Sequence, residues 1–139
     1  MDYFDILTKI LLAVLFGGIL GAERARAGKP AGLRTYMLVT LAVTVFTIIS
    51  QDTPQLQSAN YDPGRIISQV ILGIGFLGGG IIFKKGRVTG LTTAAGLWIA
   101  TAIGITVGLG LYLLGAIVTV VSFIILAILP VVEDKINTE

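Results

Sequence analysis

Few residues in this 139-residue chain could do chemistry. It has no histidine and no cysteine, which excludes imidazole proton relays, thiolate nucleophiles, disulfides and the common zinc ligand sets. What remains is a polar set, Glu23, Arg24, Arg34, Thr35, Gln69, Thr92 and Thr93, and a glycine run, Gly73, Gly75, Gly78, Gly79 and Gly80. Carboxylate and guanidinium groups can pair with each other, and excess basic residues can hold lipid phosphate. The hydroxyls of Thr92 and Thr93 have no evident general base, so no activated nucleophile is expected. The chain is read as non-enzymatic, with no catalytic residue.

The glycine run poses the sharpest chemical question. Gly73-x-Gly75-x-x-Gly78 spells a dinucleotide-binding fingerprint, which needs a preceding strand, a following helix and an acidic residue roughly 20 positions on. No acidic residue occurs from Pro63 through Val132, and the flanks are apolar. The stretch Ile66 to Phe83 is wholly uncharged. It is long enough to cross a bilayer as a helix at about 1.5 Å per residue. Glycines in such a helix let backbones approach closely where lipid removes the usual hydrophobic drive. No cofactor is evident.

The elements that must position these residues are membrane spans. The chain is 55% hydrophobic and 13% charged, with a mean hydropathy of +0.93, against about 25% charged residues in soluble domains. Residues 1–139 read as a single all-α transmembrane domain, a bundle of about five helices near 4–22, 33–51, 66–83, 91–107 and 111–129. Val88 to Val132 is uncharged and too long for one helix; it is expected to fold back near Gly108-Leu109-Gly110 and to end at Pro130. The apolar stretch Ile10–Ala22 is expected to be a retained first helix, because a signal peptide should begin positively charged and this sequence begins Met1-Asp2-Tyr3-Phe4-Asp5.

Charge orients the spans. One side holds Arg24, Arg26, Lys29, Arg34, Lys84, Lys85, Arg87 and Lys135, and the other only Lys9 and Arg65. The positive-inside rule puts the first group in the cytoplasm, with the N-terminus outside and the C-terminus inside. Lys9 is expected to snorkel outward. Glu23, Arg24, the Lys29–Thr35 segment and Thr89–Thr93 then gather at the inner face. Pro30 suits the first turn of the second helix, and Glu23 is expected either to pair with Arg34 or Arg24, pinning the first helix to the second, or to be a solvated interfacial charge. Gln69 is expected to hydrogen-bond within the bundle, and Trp98, mid-helix, to serve packing.

Small residues recur four apart at Thr92, Gly96, Ala100, Gly104 and Gly108, at Gly17 and Gly21, and at Gly75 and Gly79. Each sequence places a smooth stripe on one helix face. A stripe is either tight packing within one bundle or a homodimer face; five thin helices enclose little volume, which favours self-association as a dimer.

Four segments in order resemble the MgtC/SapB family of bacterial membrane proteins. They are Gly21-Ala22-Glu23-Arg24, Lys29-Pro30-Ala31-Gly32-Leu33-Arg34-Thr35, Gln69 through Gly80, and Gly90-Leu91-Thr92-Thr93-Ala94-Ala95. The resemblance runs from about Asp5 to Pro130. It implies a multi-pass protein of the bacterial cytoplasmic (inner) membrane, connected with magnesium homeostasis and adaptation to low magnesium. Partners implied are the lipid bilayer and other membrane proteins, such as the ATP synthase or transporters; no nucleic acid is expected. Many members carry a soluble C-terminal domain, so the resemblance is to a short form without it.

Two functions follow. One is a non-enzymatic regulator or interaction partner. The other is a transporter or channel subunit for Mg²⁺ or another cation. Mg²⁺ takes hard oxygen ligands, and no carboxylate lies at the midplane of any expected span, which weighs towards the first. A glycine-rich break at Gly78-Gly79-Gly80 exposing carbonyls, or a path on a dimer axis, would restore the second.

Overall fold

The structure, a computed structural model, describes residues 2–52, 62–84 and 87–136. Lys85, counted above among the basic residues, lies outside the described residues, as do the side chains of Asp52, Lys84, Arg87 and Lys135. Five helices make up nearly all of it: α1 (Tyr3–Arg26), α2 (Leu33–Asp52), α3 (Pro63–Ile82), α4 (Leu91–Gly108) and α5 (Tyr112–Ile136). Each contains a stretch long and apolar enough to cross a membrane. Between α3 and α4 a two-residue antiparallel pair, β1 (Phe83–Lys84) and β2 (Arg87–Val88), sets Phe83 opposite Val88 and Lys84 opposite Arg87.

The helix ends follow local chemistry. Asp2 caps α1 by accepting from the Phe4 amide at 3.1 Å. Gly90 and Gly110 take positive φ, 72° and 78°, where the chain reverses into α4 and out of it; the reversal expected near Gly108–Gly110 is found there. Pro30 falls before α2 rather than in its first turn, because the helix begins only at Leu33. The largest departure is at Pro130. The expected stop is absent, and α5 continues through it to Ile136. The reason lies in Arg24, as set out below.

α2 sits between α1 and α4, and glycine makes that possible. A β-carbon at Gly17 would lie 2.2 Å from the Thr40 hydroxyl oxygen, and one at Gly21 would lie 2.8 Å from the Leu33 Cα. On the other side, a β-carbon at Gly104 would meet the Thr40 carbonyl at 2.8 Å, and one at Gly108 the Thr47 Cβ at 2.5 Å. The α1 and α4 stripes are thus both consumed inside one chain, against α2. Of the alternatives left by the sequence, internal packing holds for these two, and the reading of the α4 stripe as a homodimer face is corrected. α3 differs: β-carbons at Gly73, Gly75, Gly79 and Gly80 would meet nothing within 4 Å, and only Gly78 packs, with its β-carbon 3.6 Å from that of Ala94. Trp98 lies on the outer surface of α4, 53% exposed, and not in the packed interior.

Candidate functional site

Up-and-down connection brings the end of α1, the start of α2, the start of α4 and the last turns of α5 to one end of the bundle. Arg24 is the centre of this end. It is 1% exposed, pairs through Nε with the Glu23 carboxylate, and donates from Nη2 to the Leu126 carbonyl of α5 at 2.7 Å. That carbonyl is four residues before Pro130. Proline has no N–H to return to it, and its ring pushes the i−4 carbonyl aside. The guanidinium supplies the missing donor, so α5 can pass through a proline that would otherwise break it. Glu23 then neutralises a cation that would be expensive so deep in the protein.

The expected pairing of Glu23 is therefore with its neighbour Arg24. The helix it helps to secure to α1 is α5, not α2. Arg34 is exposed and forms no ion pair among the described residues. Thr35 is half-buried and Thr92 exposed, whereas Thr93 is buried. Gln69 is exposed and makes no hydrogen bond among the described residues, contrary to the expected bond within the bundle; it lies on the wall of a groove between α2 and α3, away from the Glu23–Arg24 end.

The structure adds residues the sequence reading passed over. Tyr36 is fully buried between α1 and α4, with its hydroxyl 3.5 Å from the Thr93 carbonyl. A β-carbon at Gly96 would sit 2.1 Å from that hydroxyl, so the ring occupies the place the glycine leaves. One turn on, the Thr40 hydroxyl reaches the Ala13 carbonyl of α1 at 2.8 Å, and Thr44 donates to the Gly104 carbonyl of α4 at 2.9 Å. These bonds tie α2 to both neighbours through backbone carbonyls already engaged in their own helices. The signal for them was present: Tyr36, Thr40, Thr44 and Thr47 recur along α2 at helical spacing, complementary to the stripes.

At the opposite end, Asp5 accepts from the Tyr112 hydroxyl at 2.7 Å and pairs with Lys9 at 2.8 Å. Lys9 reaches back along α1 to this carboxylate, four residues nearer the N-terminus and in the direction expected of it, with its side chain 12% exposed. This clasp joins the start of α1 to the start of α5. Among the described residues no three acidic groups come together in a way that could hold a metal ion.

The profile of the MgtC family matches residues 10–135, almost the whole bundle. The chain belongs to the MgtC family. It is 37% identical over 129 residues to YhiD of Escherichia coli K12, described as a candidate magnesium transporter, with 89% of this chain and 60% of YhiD covered. It is 43% identical over 123 residues to MgtC of Brucella abortus, covering 87% of this chain and 50% of that protein. With SrpB of Synechococcus elongatus it shares 36% over 137 residues, covering 91% of this chain and 75% of SrpB. The chain thus spans between half and three-fifths of YhiD and MgtC, and what it shares with them is the helical bundle. No solved structure matches it. Family membership and five candidate spans together make it a multi-pass membrane protein.

Proposed function

We propose that this chain is a non-enzymatic regulator or interaction partner in the bacterial cytoplasmic membrane, tied to magnesium homeostasis, with its N-terminus outside and its C-terminus in the cytoplasm. One observation carries the reading. Among the described residues, every buried side-chain nitrogen or oxygen has a hydrogen-bond partner within the protein. Thr40, Thr44, Thr47, Thr101 and Thr119 close on backbone carbonyls, and Arg24 on Glu23 and Leu126. A hydrated cation crossing the bundle needs polar groups free to replace its water, and these are committed to backbone carbonyls, those of Thr40, Thr44 and Arg24 on neighbouring helices and those of Thr47, Thr101 and Thr119 on their own. The exposed groups Arg34 and Thr92, at the end the positive-inside rule assigns to the cytoplasm, are then available to a partner. Self-association as a dimer belongs to the same proposal.

A second reading, a subunit of a magnesium or other cation transporter, is favoured by the description attached to YhiD. Photo-crosslinking from position 34 or 92 in the native membrane tests the first. A discrete adduct with another membrane protein, lost when Arg34→Glu is introduced into the photo-reactive Thr92 variant, supports a regulator. Adducts confined to lipid would count against it.

A further inference from the structure

The groove between α2 and α3 is not accounted for by anything above. It encloses about 760 Å³, within the usual size range of ligand sites. Val39, Val43 and Phe46 of α2 form one wall, and Ile66, Val70 and Leu77 of α3 the other. From Arg65 to Leu77 it runs about 18 Å along the helix. Almost everything facing it is hydrocarbon, and a slot of this kind has no favourable water content. The exceptions are Arg65 at one end and Gln69 one turn deeper. Arg65 is exposed, has no ion-pair partner among the described residues, and stands in the first turn of α3, where helix amides add positive potential. Midway, Gly73 leaves the wall open, since a β-carbon there would meet nothing within 4 Å.

We propose that this groove holds one acyl chain of an anionic phospholipid, its headgroup phosphate on Arg65, from the leaflet on the side of the α2–α3 connection. The charge pattern selects the occupant. A long apolar slot ending in a guanidinium that has no ion-pair partner among the described residues complements an amphiphile with a single anionic head and an extended chain. A packed protein helix would leave Arg65 and Gln69 desolvated unless it brought its own carboxylate. Gln69 lies where the glycerol ester region of such a lipid enters the slot.

The test is native mass spectrometry of the intact detergent-purified protein titrated with phosphatidylglycerol and, separately, phosphatidylcholine. One phosphatidylglycerol should be retained in preference. Arg65→Gln should weaken it about fivefold, the factor for one basic contact near a lipid surface, and bring it level with phosphatidylcholine. Gly73→Leu fills the slot from α3 and Ala42→Leu from α2; each should remove the bound lipid of either type while circular dichroism stays unchanged. Arg26→Gln, at the far end of the bundle, should have no effect on that lipid. Equal loss in Arg26→Gln and Arg65→Gln would reduce the effect to general surface charge and overturn the proposal. Full retention in both leucine variants would place the lipid elsewhere. An efficient disulfide between two copies carrying Gly73→Cys would mean that a second chain covers the groove, which also overturns it.

Discussion

If Arg24 is what lets α5 run through Pro130, the two residues must be energetically coupled although they lie on different helices. Arg24→Gln removes the partner of a Glu23 carboxylate that is 12% exposed, and a donor from the Leu126 carbonyl. Breaking a fully buried pair costs about 3–5 kcal/mol. Glu23 lies at the end of a helix, where water can reach part of it, so a lower charge term of about 2 kcal/mol is assigned here. The orphaned carbonyl adds about 1 kcal/mol, the scale of hydrogen bonds between membrane helices. The single variant should therefore lose about 3 kcal/mol, the sum of these two parts. Pro130→Ala alone should be nearly neutral, because it restores an amide for a carbonyl that Arg24 already serves. In the Arg24→Gln background the same change lets the helix bond its own carbonyl and should recover about 1 kcal/mol. Glu23→Gln in that background should recover most of the charge part instead. Reversible unfolding in mixed micelles, followed by circular dichroism across this double-mutant cycle, reads the coupling directly. If Arg24→Gln and Pro130→Ala add to within about 0.4 kcal/mol, as independent sites do, the guanidinium is not the helix's substitute donor and the reasoning fails.

Other perturbations follow from the same packing. Gly96→Ala puts a methyl into the Tyr36 hydroxyl and should cost about 1–3 kcal/mol of stability; Tyr36→Phe, which removes the clashing oxygen, should restore part of that loss in thermal melts, whereas two independent losses would contradict the fit. Gly104→Leu should fail to yield folded protein, while Gly75→Leu, with no neighbour at its β-carbon, should give a monodisperse peak with unchanged helicity; equal behaviour of the two would refute the assignment of the stripes. Tyr112→Phe removes the hydrogen bond to Asp5 and should cost about 1 kcal/mol, and hydrogen exchange should rise at the starts of α1 and α5 together, not at one alone.

Much of this protein is readable from its sequence because the bilayer makes one demand that dominates the rest. Long uncharged runs must be helices, and each of the five expected spans has its helix. The gathering of Glu23, Arg24 and Thr93 at one end also follows from counting spans. What the sequence hides is which partner each group chooses. Pro130 reads locally as a terminator, and only the approach of Arg24 from a helix 102 residues away in sequence reverses that. Likewise Glu23 has two arginines within reach on paper, and burial of Arg24 decides between them. The stripes are visible as patterns, but their use is not. Nothing local distinguishes Gly104, which needs Thr40 against it, from Gly75, which faces open space. Gln69 fails for the same reason: a polar group in a span must find a partner, yet position alone does not say whether the partner is protein or lipid.

The account rests on the bundle's buried polar groups being structural and not a cation path. The measurement that tests this most directly is Mg²⁺ flux into proteoliposomes holding the purified chain alone, with Glu23→Gln, in a folded state checked by circular dichroism, as the paired control. The account predicts flux no greater than that of protein-free vesicles for both proteins. Saturable Mg²⁺ entry that falls in Glu23→Gln would contradict it, and would make the Glu23–Arg24 end of the bundle part of a transport path.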